Sequence, residues 1–136
     1  MESPEKKRTQ PAGTEPAPSR YFTGAAWIKT LVKSSEEINC TVSEVTFQPG
    51  ARNNWHTHPG GQILLVTEGV GYFQRKGDAI KLIKPGDTIT IPSGEIHWHG
   101  ASHDSSMTHL AINMNSEKGS VEWLAPVTDK EYDFRS

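Results

Sequence analysis

Cysteine is nearly missing from this sequence: Cys40 is the only one in 136 residues, which excludes an intrachain disulfide and a zinc knuckle built on paired thiolates. No apolar run is long enough to cross a bilayer as a helix, and the N-terminus lacks the apolar stretch of a signal peptide, so a cytoplasmic protein is expected. An excess of one charge is also lacking. With 14 Lys and Arg against 16 Asp and Glu, and the basic residues scattered but for the run Lys6, Lys7 and Arg8 and the pair Arg75 and Lys76, there is no field to hold a polyanion. Neither nucleic acid nor a membrane is an expected partner. Long windows of Ala, Leu, Glu and Lys are absent too, which argues against a helical bundle.

What the chain does have is 12 Gly and 9 Pro, spaced as turn residues between short β-branched and aromatic runs. Residues 1–19 carry Pro4, Pro11, Pro16 and Pro18 among polar side chains and little to bury, so a disordered tail is expected there. The rest, 20–136, reads as one all-β domain. Strands are predicted at 27–32, 40–47, 55–58, 62–67, 71–75, 80–83, 88–91, 97–99, 107–114 and 121–124. Pro49-Gly50, Pro59-Gly60-Gly61, Lys84-Pro85-Gly86-Asp87 and Pro92-Ser93-Gly94 mark turns between them. A short closing helix over 128–135 is predicted, with Thr128 as N-cap and Glu131 completing a capping box.

Histidine carries the chemistry. On a strand, alternate side chains share a face, so His56 and His58 project together, as do His97 and His99 around Trp98. Gln62 follows a three-residue turn and brings a neutral amide oxygen. Imidazole with amide oxygen and no thiolate suits Mn, Fe, Ni, Co, Cu or Zn, and ligand type alone does not choose among them. The bland reading, two amphipathic strands with solvent-facing histidines, would fit a single pair better than two.

At these residues the chain resembles the cupins. Gly50, His56, His58, Gln62 and Gly69 follow the spacing of the first cupin motif, G(X)5HXH(X)3E(X)6G, with Gln62 where most members carry Glu. Gly86, Pro92, Gly94 and His97 follow the second, G(X)5PXG(X)2H, with Ala101 where many members carry Asn. The fold this implies is a double-stranded β-helix, a jelly-roll-like barrel. The Gln in place of Glu leaves no anionic ligand, so a bound ion would keep a charge near +2 and draw anions to its open position.

The longer stretch with Trp55, Met107-Thr108-His109-Leu110-Ala111 and Val121-Glu122-Trp123 is similar to the small bacterial cupins that include manganese-dependent hydroxynitrile lyases. That resemblance implies one divalent ion per chain, manganese first and Fe, Zn, Ni or Co next, held by His56, His58, Gln62 and His97. It implies His109 as the general base in cleavage of a mandelonitrile-like cyanohydrin to aldehyde and cyanide, with Ser43 and Val45 on the pocket wall. Asn113 stands where those lyases carry a longer Gln, at a substrate-positioning place. His99 is expected to back the ligands by hydrogen bonding. A dioxygenase acting on small organic substrates, and a cupin whose ion is structural, are the alternatives. A homodimer or homotetramer is expected, with the run 27–32 lying against a neighbour's sheet.

Some residues read differently without the resemblance. His109 alternates with Leu110, Ile112 and Met114, so simple patterning buries those three and turns the histidine outward. Trp55, Trp98 and Trp123 read as core or interface, Cys40 as a small buried hydrophobe, and His103 as a solvated loop residue. Arg52 and Arg75 are the nearest cations to the site for clamping an anionic substrate.

Overall fold

The structure is a computed structural model that describes residues 9–119 and 121–133. Its strands in chain order are β1 (Glu15–Pro16), β2 (Phe22–Thr23), β3 (Ala26–Val32), β4 (Cys40–Phe47), β5 (Arg52–Asn53), β6 (His56–Thr57) and β7 (Gln62–Gly69). They continue with β8 (Gly71–Arg75), β9 (Lys81–Ile83), β10 (Thr88–Ile91), β11 (His97–Ala101), β12 (Met107–Met114) and β13 (Glu122–Trp123). One helix, α1 (Asp129–Tyr132), follows. Two antiparallel sheets result. One runs β1-β3-β4-β12-β7-β10; the other runs β13-β6-β11-β5-β2, with β8 joining β11 to β9.

The inward faces of the two sheets meet in an apolar core that includes Phe47, Leu64, Phe73, Ile83, Ile91 and Met107. These are apolar residues of the predicted runs, alternating inward as the pleat requires. A second, smaller cluster lies on the outer face of β11. There Trp98 packs with Tyr72, Val127 and Tyr132, and its indole N–H donates to Gln74 Oε1 at 2.8 Å. This outer cover explains why β11 is buried along both faces, although only alternate residues face the barrel interior.

The expected capping box is present: Thr128 accepts from Glu131 N–H at 3.1 Å, and the Glu131 carboxylate accepts from Thr128 N–H at 2.9 Å. The helix ends at Tyr132, and residues 134 and 135 of the predicted span lie outside the described residues. Residues 1–8 of the expected tail lie outside them as well. The remainder of that segment is not tail-like: Glu15 and Pro16 pair with Ile28 and Trp27, and Ala17 N–H donates to Ala26 O at 2.9 Å. Backbone hydrogen bonding to the flank of β3, rather than side-chain burial, holds this strand, which is why composition did not reveal it.

Arg52 serves the fold. Its guanidinium is buried, donating to Val127 O and Asp129 Oδ1, each at 2.8 Å, and stacks over the Tyr132 ring at 4.5 Å. It ties α1 to the barrel and is engaged away from any substrate. Arg75 donates to Glu95 and to Thr90 O at 2.7 Å.

Candidate metal centre

Two of the histidines face each other across the second sheet. His56 of β6 lies opposite His97 of β11, bringing their ring centroids to 4.2 Å. His58 follows β6 into the Pro59-Gly60-Gly61 turn. Its carbonyl accepts from Gly61 N–H at 3.1 Å and Gly94 N–H at 3.2 Å, so both motif turns close on this residue. Gly61 has φ 87, and a Cβ on Gly60 would lie 2.0 Å from Met114 O; the turn therefore requires glycine at both places. His58's ring is 5.1 Å from that of His56 and 5.9 Å from that of His97.

Hydrogen bonds fix which nitrogen of each ring is free. His56 Nδ1 donates to Asn54 O and His97 Nδ1 to Glu95 O, both at 2.8 Å, so in the neutral rings Nε2 keeps its lone pair. The rings are neutral at pH 7. Burial, reinforced by the neighbouring His97 and His58, holds His56 well below the ordinary histidine range. Burial lowers His58 and His97 each to about 4.

Opposite these rings, on the other sheet, β7 presents Gln62. Its Nε2 donates to Asn113 Oδ1 at 2.9 Å, which turns Oε1 toward His97 Nε2 at 3.0 Å. Two bare acceptors thus face each other across a hydrogen-bond distance with no proton of their own to share. A cation between them resolves that opposition, and the donors are those a borderline divalent ion takes. The residues present fit such an ion.

His56, His97 and His99 form a group of three buried histidines whose ligand nitrogens all lie within 4.8 Å of one another, enough to hold a metal ion. His99 therefore stands closer to the ligand set than the sequence indicated, its ring 5.4 Å from that of His56 and 5.9 Å from that of His97, about as near as His58. His99 is also held from behind: Asn53 Oδ1 accepts from His99 N–H at 3.0 Å, and Asn53 Nδ2 lies 3.2 Å from His99 Nε2. Asn53 escaped the sequence reading because a two-residue strand of Arg and Asn carries no β signal; only its pairing beside β11 makes it one.

His109 faces inward and is fully buried, contrary to the outward orientation that simple alternation suggested. The pairing of β12 with β7 shifts register between Thr108 and His109, and the half-buried Leu110, Ile112 and Met114 take the outer face. Its Nε2 lies 3.0 Å from His99 Nδ1, while its Nδ1 has no hydrogen-bond partner among the described residues. Burial lowers it to about 4, so it too is neutral at pH 7.

His56, His58, Gln62, His99 and His109 line one cavity of about 150 Å³. Ser43, Val45 and Asn113 are on its wall, and so are Phe22 and Trp123. Trp123 stacks on Tyr21 at 4.6 Å and lies 5.0 Å from the His56 ring, which makes it a wall residue. His103 is not solvated: Tyr72 Oη and its Nδ1 are 2.8 Å apart, and its ring lies 4.6 Å from that of Tyr132. Cys40 is half-buried.

Five buried neutral histidines give the metal-free protein a defined pH response. In the unfolded chain histidine titrates near 6.5, whereas folded His58, His97 and His109 titrate at about 4. Between these limits the unfolded state binds more protons, so stability falls as pH falls, by about 1.4 kcal/mol per pH unit for each unmatched proton. Calorimetry of the metal-free protein is expected to show a melting temperature flat above about pH 7 and dropping steeply from pH 6.5 toward 4. A constant melting temperature across that window would contradict the burial of these rings.

Comparison with known proteins agrees with this architecture. The model of the Cupin domain family matches residues 43–113. An (R)-mandelonitrile lyase of Granulicella tundricola is 43% identical over 128 residues, 94% of this chain and 98% of that protein. A crystal structure of a cupin-like protein from Thermotoga maritima superposes with a TM-score of 0.84 at 44% identity, covering 86% of this chain and 89% of that one. An acireductone dioxygenase of Leishmania braziliensis is 31% identical over 91 residues, 62% of this chain but 25% of that protein. Among the described residues no helix is long and apolar enough to cross a membrane.

Proposed function

The chain belongs to the cupin family, and from that premise we propose that it is a metal-dependent lyase that splits a small cyanohydrin into an aldehyde and cyanide. The observation that carries the reading is the shared cavity. His56, His58, Gln62 and the buried, neutral His109 line the same 150 Å³ space. The likeness along the whole chain to a mandelonitrile lyase supports the substrate class.

In this reading His56, His58, Gln62 and His97 hold one divalent ion, manganese first, with His99 able to approach it. The ion, when bound, supplies positive charge that stabilises the anion formed on cleavage. The chain's own residues do the rest. His109 accepts the substrate hydroxyl proton at Nδ1; the carbon–cyanide bond breaks as the C=O bond forms, and the electron pair leaves with cyanide. A base near 4 accepts the proton from a hydroxyl only transiently, so charge stabilisation beside it is required in the same step. His99, 3.0 Å from His109 Nε2, holds the base ring. Phe47, with its ring centroid 5.5 Å from His109, helps keep water from the base. Ser43, Val45, Ala111 and Trp123 bound a small, mainly apolar space, which suits an aryl or short alkyl cyanohydrin.

The test is release of aldehyde from (R)-mandelonitrile by manganese-loaded protein, measured under nitrogen. Turnover well above the metal-free control is expected. Absence of turnover, with oxygen uptake on small organic substrates in air, would instead favour a dioxygenase, the reading to which the partial likeness to acireductone dioxygenase gives some support.

A further inference from the structure

Gln62, Asn113 and Thr41 stand in one row across three neighbouring strands. The register of β7 with β12 sets Gln62 opposite Asn113, and that of β12 with β4 sets Asn113 opposite Thr41. Opposed residues on one face of a sheet have Cβ atoms about 4.5–5.5 Å apart, within reach for polar side chains of this length. A chain of hydrogen bonds follows the row: Gln62 Nε2 donates to Asn113 Oδ1 at 2.9 Å, and Asn113 Nδ2 donates to Thr41 Oγ1 at 3.3 Å. The next row along, Leu64, Ala111 and Ser43, places an alanine where an acceptor would be needed to compete for Gln62.

A carboxamide has two unlike ends. Its oxygen binds a cation; its NH₂ group has no lone pair to give and repels one. A half-turn of the terminal torsion exchanges them, and that torsion has no strong preference of its own. In this arrangement Asn113 Oδ1 accepts from Gln62 and its Nδ2 donates to Thr41, so Asn113 accepts from Gln62 only while the Gln62 oxygen points to His97.

We propose that Asn113 is a positioning residue that locks the Gln62 carboxamide oxygen-inward and so makes it a neutral oxygen donor to a divalent cation. This rests on the metal reading above and gives Asn113 a task other than contact with substrate. A Glu at 62 would have no N–H for Asn113 to receive, whereas a Gln needs an acceptor behind it.

The test is the affinity of the full-length chain for Mn²⁺, by competition with a fluorescent chelator, in wild type, Asn113→Asp, Asn113→Leu and Asn113→Ser. Loss of the acceptor in Asn113→Leu is expected to weaken binding by about 10- to 100-fold, the usual effect of removing a group that orients a ligand. Asn113→Ser, too short to reach, should do the same and serves if the Leu variant does not fold. Asn113→Asp keeps the acceptor and should bind within about threefold of wild type or more tightly, a rescue that a packing role would not give. Unchanged affinity in the Leu and Ser variants overturns the positioning role and leaves the metal site standing. Equal weakening in the Asp and Leu variants overturns it as well, since the acceptor would then not matter. A wild-type chain that binds no Mn²⁺ overturns the metal reading itself.

Discussion

His109→Ala is expected to lower kcat for cyanohydrin cleavage by about 10²- to 10⁴-fold, the range for loss of a general base, with metal content unchanged. The separation of these two readouts follows from the geometry. His109 lies on the opposite sheet from His56 and His97, and its nearest polar partner is His99 Nδ1, not a ligand-facing atom of Gln62. Removing its ring takes away the unpartnered Nδ1 and leaves the backbone bonds that fix His56 and His97 intact. Because the ring is fully buried against Phe47, the variant also loses packing, so His109→Gln should be assayed beside it: it fills more of the space and cannot act as a base. Both variants slow, with wild-type manganese content, is the expected result. Equal rates in wild type and both variants would remove His109 from the chemistry.

His97→Ala is expected to abolish stoichiometric metal binding, weakening affinity by more than the roughly 100-fold that loss of an orienting group can cost, with activity falling in parallel. His97 is fully buried, its Nδ1 is anchored by Glu95 O, and its Nε2 faces Gln62 Oε1. Titration of the variant with Mn²⁺ followed by metal analysis after gel filtration provides the check. Retention of one ion per chain would mean that His56 and His99 hold the ion with other donors, and the ligand set would have to be redrawn around them.

Much of this was legible in the sequence where local pattern and tertiary demand agree. The bounds of β4, β8, β10 and β12 coincide with the predicted runs, because each is a long strand whose hydrogen-bonded partners extend along its length. The pairing of His56 with His97 follows from two strands whose alternate residues face inward. Other features depend on context that no window of sequence contains. Strands β1, β2 and β5, two residues each, exist only because longer strands offer them hydrogen bonds. His109 turns inward because on β12 the polar or small positions, not the apolar ones, face the cavity. His103 looks like a loop residue until Tyr72 and Tyr132 are seen to enclose it. The link from Gln62 to Asn113 spans 51 positions, and only sheet register brings it about.

The most direct measurement is metal analysis of the wild-type protein purified without chelating resin, joined to anomalous diffraction from its crystals. One divalent ion per chain, with an anomalous peak about 2.0–2.3 Å from His56 Nε2, His97 Nε2 and Gln62 Oε1, is the predicted result. Protein that contains no metal and takes up none on incubation, or a peak away from those three atoms, would contradict it.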